Sequence, residues 1–147
     1  MSDLRIESVA GDEAALWDWR HVHNLIIPTD PLTLDDVRER AGRHRLDVAY
    51  LGGELVGCMT VRPPDDEAAV ATVIARVLPG YRGRGFGTRL YAHGLAQARE
   101  LGAARIQTVV LESNSEGLRF ALARGFVEVE RYLLPGDTVP FIDLELG

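Results

Sequence analysis

Val77-Leu78-Pro79-Gly80-Tyr81-Arg82-Gly83-Arg84-Gly85-Phe86-Gly87-Thr88 decides how this chain is read. An apolar strand runs into a loop of arginines and glycines, and a helical pattern follows at once. Small residues at 83, 85 and 87 let a polyanion approach the backbone, and N–H groups at a helix N-terminus point at it. Arg82 and Arg84 add positive charge. The stretch reads as a diphosphate site. A glycine cluster can equally be a turn in which the glycines only relieve strain; the two arginines and the preceding Val-x-Pro favour function.

The rest of the chain arranges itself around that loop. Val70–Leu78, rich in Val, Ile and Ala, reads as a buried central strand. A helix is expected over Gly85–Leu101, with Leu90, Tyr91, Gly94, Leu95, Ala98 and Leu101 facing the core and Gly102 as its stop. Arg105–Leu111 is a second buried strand. Ser115–Arg124 is a short helix presenting Leu118, Ala121 and Leu122, capped by Gly125. Phe126–Leu133 and Val139–Leu146 are the last strands, joined through Pro135-Gly136-Asp137. In the final strand Ile142, Leu144 and Leu146 alternate with Asp143 and Glu145, so one face is buried.

On the N-terminal side Leu4–Val9 is a first strand, and Asp12–Leu25 a helix with Ala15, Leu16, Trp19 and Val22 on one face. The stretch Ile26–Pro31 breaks that helix. Thr33 or Leu34 opens a second helix to about Arg40, which Gly42 closes. Leu46–Leu51 and Leu55–Val61 form a hairpin on Gly52-Gly53, which supply positive φ. Pro63–Asp66 is a loop. The order β-α-α-β-β-β-α-β-α-β-β predicts a single α/β domain over 1–147, a mixed sheet covered by helices.

From Val70 to Phe126 the chain resembles the GNAT N-acetyltransferases. Arg82-Gly83-Arg84-Gly85-Phe86-Gly87 is similar to their Gln/Arg-x-x-Gly-x-Gly/Ala signature, with Arg82 at the first position and Gly85 and Gly87 at the two small ones. Asn114 to Phe126 is similar to their Asn-x-x-Ala-x-x-x-Tyr-x-x-x-Gly-Phe segment. Upstream only the order of elements agrees. The resemblance implies a mostly antiparallel sheet and acetyl-CoA as co-substrate, with no metal. It implies that Arg82, Gly83, Arg84, Gly85, Phe86, Gly87 and Thr88 cradle the pyrophosphate. It implies that Val77 and Arg76 pair with the pantetheine arm along an exposed strand edge, where Pro79 ends the pairing for want of an N–H. Asn114 would hydrogen-bond the arm, and it is also a favoured helix N-cap; both roles stay open.

Two departures concern catalysis. The family's tyrosine, which protonates the departing thiolate, falls at Ala121. A thiol leaves readily as an anion, so transfer does not require that acid; Ser113, Ser115, Tyr132 or water are substitutes without a motif behind them. The positions at which members carry a glutamate base fall at Ala71 and Val109. Glu112, ending a strand, is the remaining carboxylate candidate, with a solvated strand end as its plain alternative. A water chain is the other route.

The acceptor side in such folds is built by the first helices, their loop and the last hairpin. Here these carry Trp17, Trp19, His21, His23, Asn24 and the Ile27–Pro31 loop. His21 and His23 point to different helix faces and share no metal; structural or surface roles suit both. His44 sits in a small basic cluster, and His93 reads as structural. The single cysteine, Cys58, lies in an apolar run and reads as a buried thiol; it excludes an intrachain disulfide and a cysteine-based zinc site.

At 147 residues the chain is large enough for a real core, and its net charge of −6 argues against non-specific binding to nucleic acid or an anionic membrane. The acidic balance would suit a cationic acceptor. No signal pattern or long apolar run is visible, so a cytoplasmic location is the default. The partner is a small-molecule or peptide amine, and a homodimer stays open. The leading expectation is an N-acetyltransferase acting by direct attack in a ternary complex. A non-catalytic acyl-CoA-binding module on the same fold is the alternative. A dinucleotide-binding oxidoreductase fits worst, because its third glycine position is Thr88 and no second mononucleotide half follows.

Overall fold

The computed structural model describes residues 4–65 and 67–147. Asp66, in the loop expected over Pro63–Asp66, lies outside the described residues, as do residues 1–3 of the expected domain. The elements are β1 (Leu4–Ser8), α1 (Glu13–Ile26), α2 (Leu34–Arg43), β2 (Arg45–Leu51), β3 (Glu54–Arg62), β4 (Val70–Val77), α3 (Phe86–Glu100), β5 (Arg105–Leu111), α4 (Ser115–Ala123), β6 (Phe126–Tyr132) and β7 (Phe141–Leu146). Their order is the expected one. Among the described residues no helix is long and apolar enough to cross a membrane.

Local chemistry sets the boundaries. Asp12 caps α1 by accepting from the Ala15 N–H, and Thr33 with Asp36 forms a capping box on α2. Gly42 does not close α2; the helix runs through it to Arg43, and the extended backbone of His44 ends it. In the β2–β3 turn only Gly52, at φ 62°, takes the left-handed conformation. A short 3-10 turn at Pro79–Tyr81, unforeseen in the sequence, follows β4 because Pro79 stops the ladder.

The seven strands form one sheet in the order β1-β2-β3-β4-β5-β7-β6. Every neighbouring pair is antiparallel except β4 and β5. Strand alternation divides the core into two layers. On one face Met59, Val61, Val73, Ile142 and Leu144 pack with Leu90, Tyr91 and Ala98 of α3 and Ala121 of α4. On the other Val48 and Cys58 pack with Leu16, Trp19 and Val22 of α1 and Val37 of α2. α3 sits so close to the sheet that a Cβ on Gly94 would fall 2.6 Å from both Met59 Sδ and Val73 Cγ1. Leu122, expected in the core, is 52% exposed; α4 instead turns Phe120 inward to stack on Tyr91 at 5.4 Å.

The parallel pair positions the site. β4 and β5 pair only at Val70–Arg105, Ala71–Ile106 and Thr72–Gln107. Beyond these β4 follows β3 as far as Val77, while β5 follows β7 as far as Leu111. The two strands therefore splay, and a wedge opens through the sheet.

Candidate functional site

The wedge contains a cleft of about 390 Å³. It runs from the glycine loop, Phe120 and Arg124 on the α3 face to Ile26, Ile27, Ile74 and Arg76 on the α1/α2 face. One edge is unpaired main chain. The Leu78 N–H donates to the Val56 oxygen at 2.8 Å, so by alternation the backbone groups of Leu78, Arg76 and Ile74 face β3. Those of Val77, Ala75 and Val73 face the wedge. Arg76, expected beside Val77 on that edge, thus spends its main chain on β3 opposite Cys58, and only its side chain lines the cleft.

The loop above the wedge is a cradle of main-chain donors. Gly85 is the N-cap of α3 at φ 85°, and it offers no side chain to the orphan N–H groups of the first turn. The first helical bond runs from the Arg89 N–H to the Gly85 oxygen, which leaves Phe86, Gly87 and Thr88 ahead of it. Gly83 also has positive φ, at 76°, and a Cβ on either residue would meet nothing within 4 Å. Gly87 serves a different purpose: a Cβ there would press on the Phe120 ring at 3.2 Å, so it lets α3 approach α4.

The arginines divide the remaining work. Arg82 does not point outward; its Nε donates to the Val77 oxygen at 3.0 Å and its guanidinium pairs with Glu116 at 3.0 Å. It ties the end of β4 to α4. Arg84 is exposed and lies over the Tyr81 and Phe86 rings, with centroid distances of 5.6 and 5.1 Å. The sequence reading missed Arg124. Its guanidinium stacks on Phe120 at 4.1 Å and donates to the Thr88 hydroxyl, placing a further cation on the cradle rim. Only its position next to the Gly125 cap could have drawn notice. Asn114 lines the cleft and caps α4 by accepting from the Gly117 N–H at 3.1 Å.

The catalytic candidates are placed less favourably. Ala71 lies at the closed end of the wedge in the α3-side core, on the face away from α1 and α2. Val109 does line the α1/α2 side; the carboxylate beside it is that of Asp143, its partner on β7, which accepts from Tyr132. Glu112 is half exposed and bound to Arg131 at 2.9 Å. Tyr132 sits on the α1/α2 face beside Leu111 and Phe141 and donates to Asp143 at 3.0 Å. Burial and that bond raise its hydroxyl to about 12. Ala121 is buried; of the hydroxyls that line the cleft, Tyr91 donates to the Val73 oxygen, Tyr81 to Glu54, and Thr88 accepts from Arg124.

The helices beyond the wedge are mostly structural. Trp19 is buried and donates to the Met59 oxygen at 3.3 Å, whereas Trp17 is 51% exposed. His23 stacks on Trp19 at 5.4 Å, and its Nε2 meets the Asp30 oxygen at 3.0 Å. Burial, with Arg76 as the next cause, lowers His23 to about 4; burial and Arg62 do the same for His44. Asn24 pins the loop after α1 through two bonds to Leu32, at 2.9 and 3.1 Å. His93 is half exposed rather than in the core, 3.5 Å from buried Asp47. The Cys58 thiol, raised to about 12 by burial, is inert at neutral pH. Among the described residues no group of three His, Cys, Asp or Glu side chains is placed to hold a metal ion.

A family model described as "Acetyltransferase (GNAT) family" matches residues 12–126. No curated protein matches the chain in sequence. Solved structures share its fold at low identity. A chain of the NatC complex bound to Gag peptide and CoA superposes with a TM-score of 0.80 at 15% identity, over 98% of each chain. The ribosomal-protein-S18-alanine N-acetyltransferase from Escherichia coli gives 0.75 at 19%, over 98% of this chain and 93% of that one. A GNAT family acetyltransferase from Elizabethkingia anophelis with acetyl-CoA bound gives 0.72 at 16%, over 97% of each.

Proposed function

The chain belongs to the GNAT acetyltransferase family, and from that premise we propose that it moves an acetyl group from acetyl-CoA to a primary amine by direct attack in a ternary complex. The observation that carries this reading is the wedge, a cleft continuous through the sheet from a main-chain phosphate cradle to the opposite face. The residues fit the donor along its length. The free N–H groups of Phe86, Gly87 and Thr88 suit a diphosphate, with Arg84 and Arg124 at the rim. The open edge at Ala75 and Val77, with Asn114 across the cleft, suits the amides of a pantetheine arm.

In that pose the thioester carbonyl meets the Val77 edge and the amine enters from the α1/α2 side. The new C–N bond forms as the C–S bond breaks, and CoA leaves as a thiolate. The amine must shed a proton, and the thiolate takes one up. Glu112 and Tyr132 are held by Arg131 and Asp143, which leaves water in the cleft to carry the protons. The thiolate is a good enough leaving group to need no tyrosine. The test is CoA release from acetyl-CoA across a panel of amines, beside calorimetric binding of acetyl-CoA. Amine-dependent release supports transfer. Tight binding without release would favour the non-catalytic module, which Ala71, Val109 and Ala121 keep in view.

A further inference from the structure

The α1/α2 mouth of the wedge carries a charge opposite to that of the whole chain. The net charge is −6, and every one of the 16 basic residues is an arginine. Three of these arginines converge here. Arg62 of β3 and Arg76 of β4 stand on the sheet face shared with Cys58 and Ile74, and Arg40 joins them from the last turn of α2. Burial holds the guanidiniums of Arg62 and Arg76 below the ordinary arginine range, and nearby positive charge adds to it, from Arg40 on both and from Arg62 on Arg76.

Six of the sixteen arginines form ion pairs among the described residues, and these three are among the ten that do not. Arg5, Arg38, Arg43, Arg82, Arg105 and Arg131 all form ion pairs. Among the described residues Arg40, Arg62 and Arg76 form none, and the Arg62 Nε is buried without any hydrogen-bond partner. The carboxylate felt by Arg62, Asp143, already accepts from Tyr132. Gathering like charges in a half-buried site is unfavourable unless something arrives to balance them. A guanidinium fork matches a carboxylate or a phosphate in two-pronged geometry. Beside Arg76 the cleft wall is mostly apolar, with Ile26, Ile27, Val109 and Leu111, and Asp143 opposite Val109 has its carboxylate engaged by Tyr132.

We propose that the acceptor is a small amine that also bears an oxyanion, and that Arg40, Arg62 and Arg76 hold this oxyanion while the amine faces the wedge at Val77. This rests on the acetyltransferase reading for its transfer step but not for its anion site. The charge of the whole chain, which would suit a cationic acceptor, is overruled by the local field.

Matched acceptors test it with acetyl-CoA as donor: leucine against leucine methyl ester, and phosphoethanolamine against ethanolamine. One charged member should exceed its uncharged counterpart by about ten-fold or more in kcat/KM, and which pair responds tells carboxylate from phosphate. Arg40→Gln and Arg62→Gln should each raise the KM for that acceptor by about ten-fold and leave the Kd for acetyl-CoA unchanged. Faster turnover of the uncharged members, or variants without effect, overturns the proposal. A second arm needs no turnover: titration with inorganic phosphate should shift the Nε–Hε resonances of Arg62 and Arg76 saturably, less so in Arg40→Gln. Absence of those shifts counts against the anion site even if transfer occurs. Failure of acetyl-CoA to bind would defeat the acetyltransferase reading alone, because the phosphate arm does not use the donor.

Discussion

The two mouths of the wedge are built from different materials. On the α3 side the wall is main chain: the unpaired edge of β4 and the uncapped first turn of α3. On the α1/α2 side it is side chain, with Arg76 of β4 set against aliphatic residues from α1 and β5. A main-chain wall recognises groups that recur in one donor, amides and phosphates, and tolerates most changes of side chain. A side-chain wall can be changed one residue at a time without disturbing the sheet. One fold can therefore keep a donor and vary its acceptor, which is how a fold hosts many substrates.

The sharpest way to break this contrast is to obstruct the main-chain mouth. Gly85→Val forces a β-branched residue to φ 85° at the N-cap and should lower acetyl-CoA affinity by about a hundred-fold by calorimetry. A near-normal affinity would mean that side chains carry the donor site after all. Gly94→Ala probes the layer that supports the same mouth. The added carbon meets Val73 Cγ1 and Met59 Sδ at 2.6 Å, and the expected loss is about 1–3 kcal/mol in urea unfolding. A neutral result would show that α3 is free to lift from the sheet.

The side-chain mouth has a pH signature. Folded His23 resists protonation down to about 4, whereas in the unfolded chain it takes up a proton near 6.5. Unfolding therefore gains a proton between those values, and stability should fall as pH drops through that window, by roughly 3 kcal/mol. His23→Gln should remove part of the slope of the urea-midpoint profile there, with His44, also lowered to about 4, keeping the rest; an unaltered slope would place the titration elsewhere. The smallest effect is expected at Glu112, already engaged by Arg131. Glu112→Gln should cost less than about ten-fold in kcat, whereas a general base contributes about 10²–10⁴-fold. A loss in that larger range would make Glu112 the base and remove the need for water.

The same contrast explains what could be read in the sequence. The donor mouth is nearly contiguous, from Val70 to Thr88, and strand, proline, glycines and helix leave their marks at fixed spacing. The order of all the elements was legible for the same reason: local patterns encode local structure. The splay of β4 from β5 came only through the resemblance, as the exposed edge expected at Val77; local patterning does not convey that the strands part after three paired residues. Arg82 keeps its motif position yet turns inward to Val77 and Glu116, a contact 34 residues away in sequence that no spacing rule conveys. Arg40, Arg62 and Arg76 come from three separate elements and look, one at a time, like ordinary surface charges. Gly42 misled because glycine stops a helix only where a left-handed turn follows, and His44 continues in extended backbone.

Calorimetric titration of the wild-type chain with acetyl-CoA, alongside NAD and the Gly85→Val variant, tests the central claim most directly. The account predicts saturable acetyl-CoA binding in about the micromolar range, lost in the variant, with none for NAD. If acetyl-CoA fails to bind the wild type, the wedge is not a donor site and the loop from Arg82 to Thr88 is only a turn into a helix.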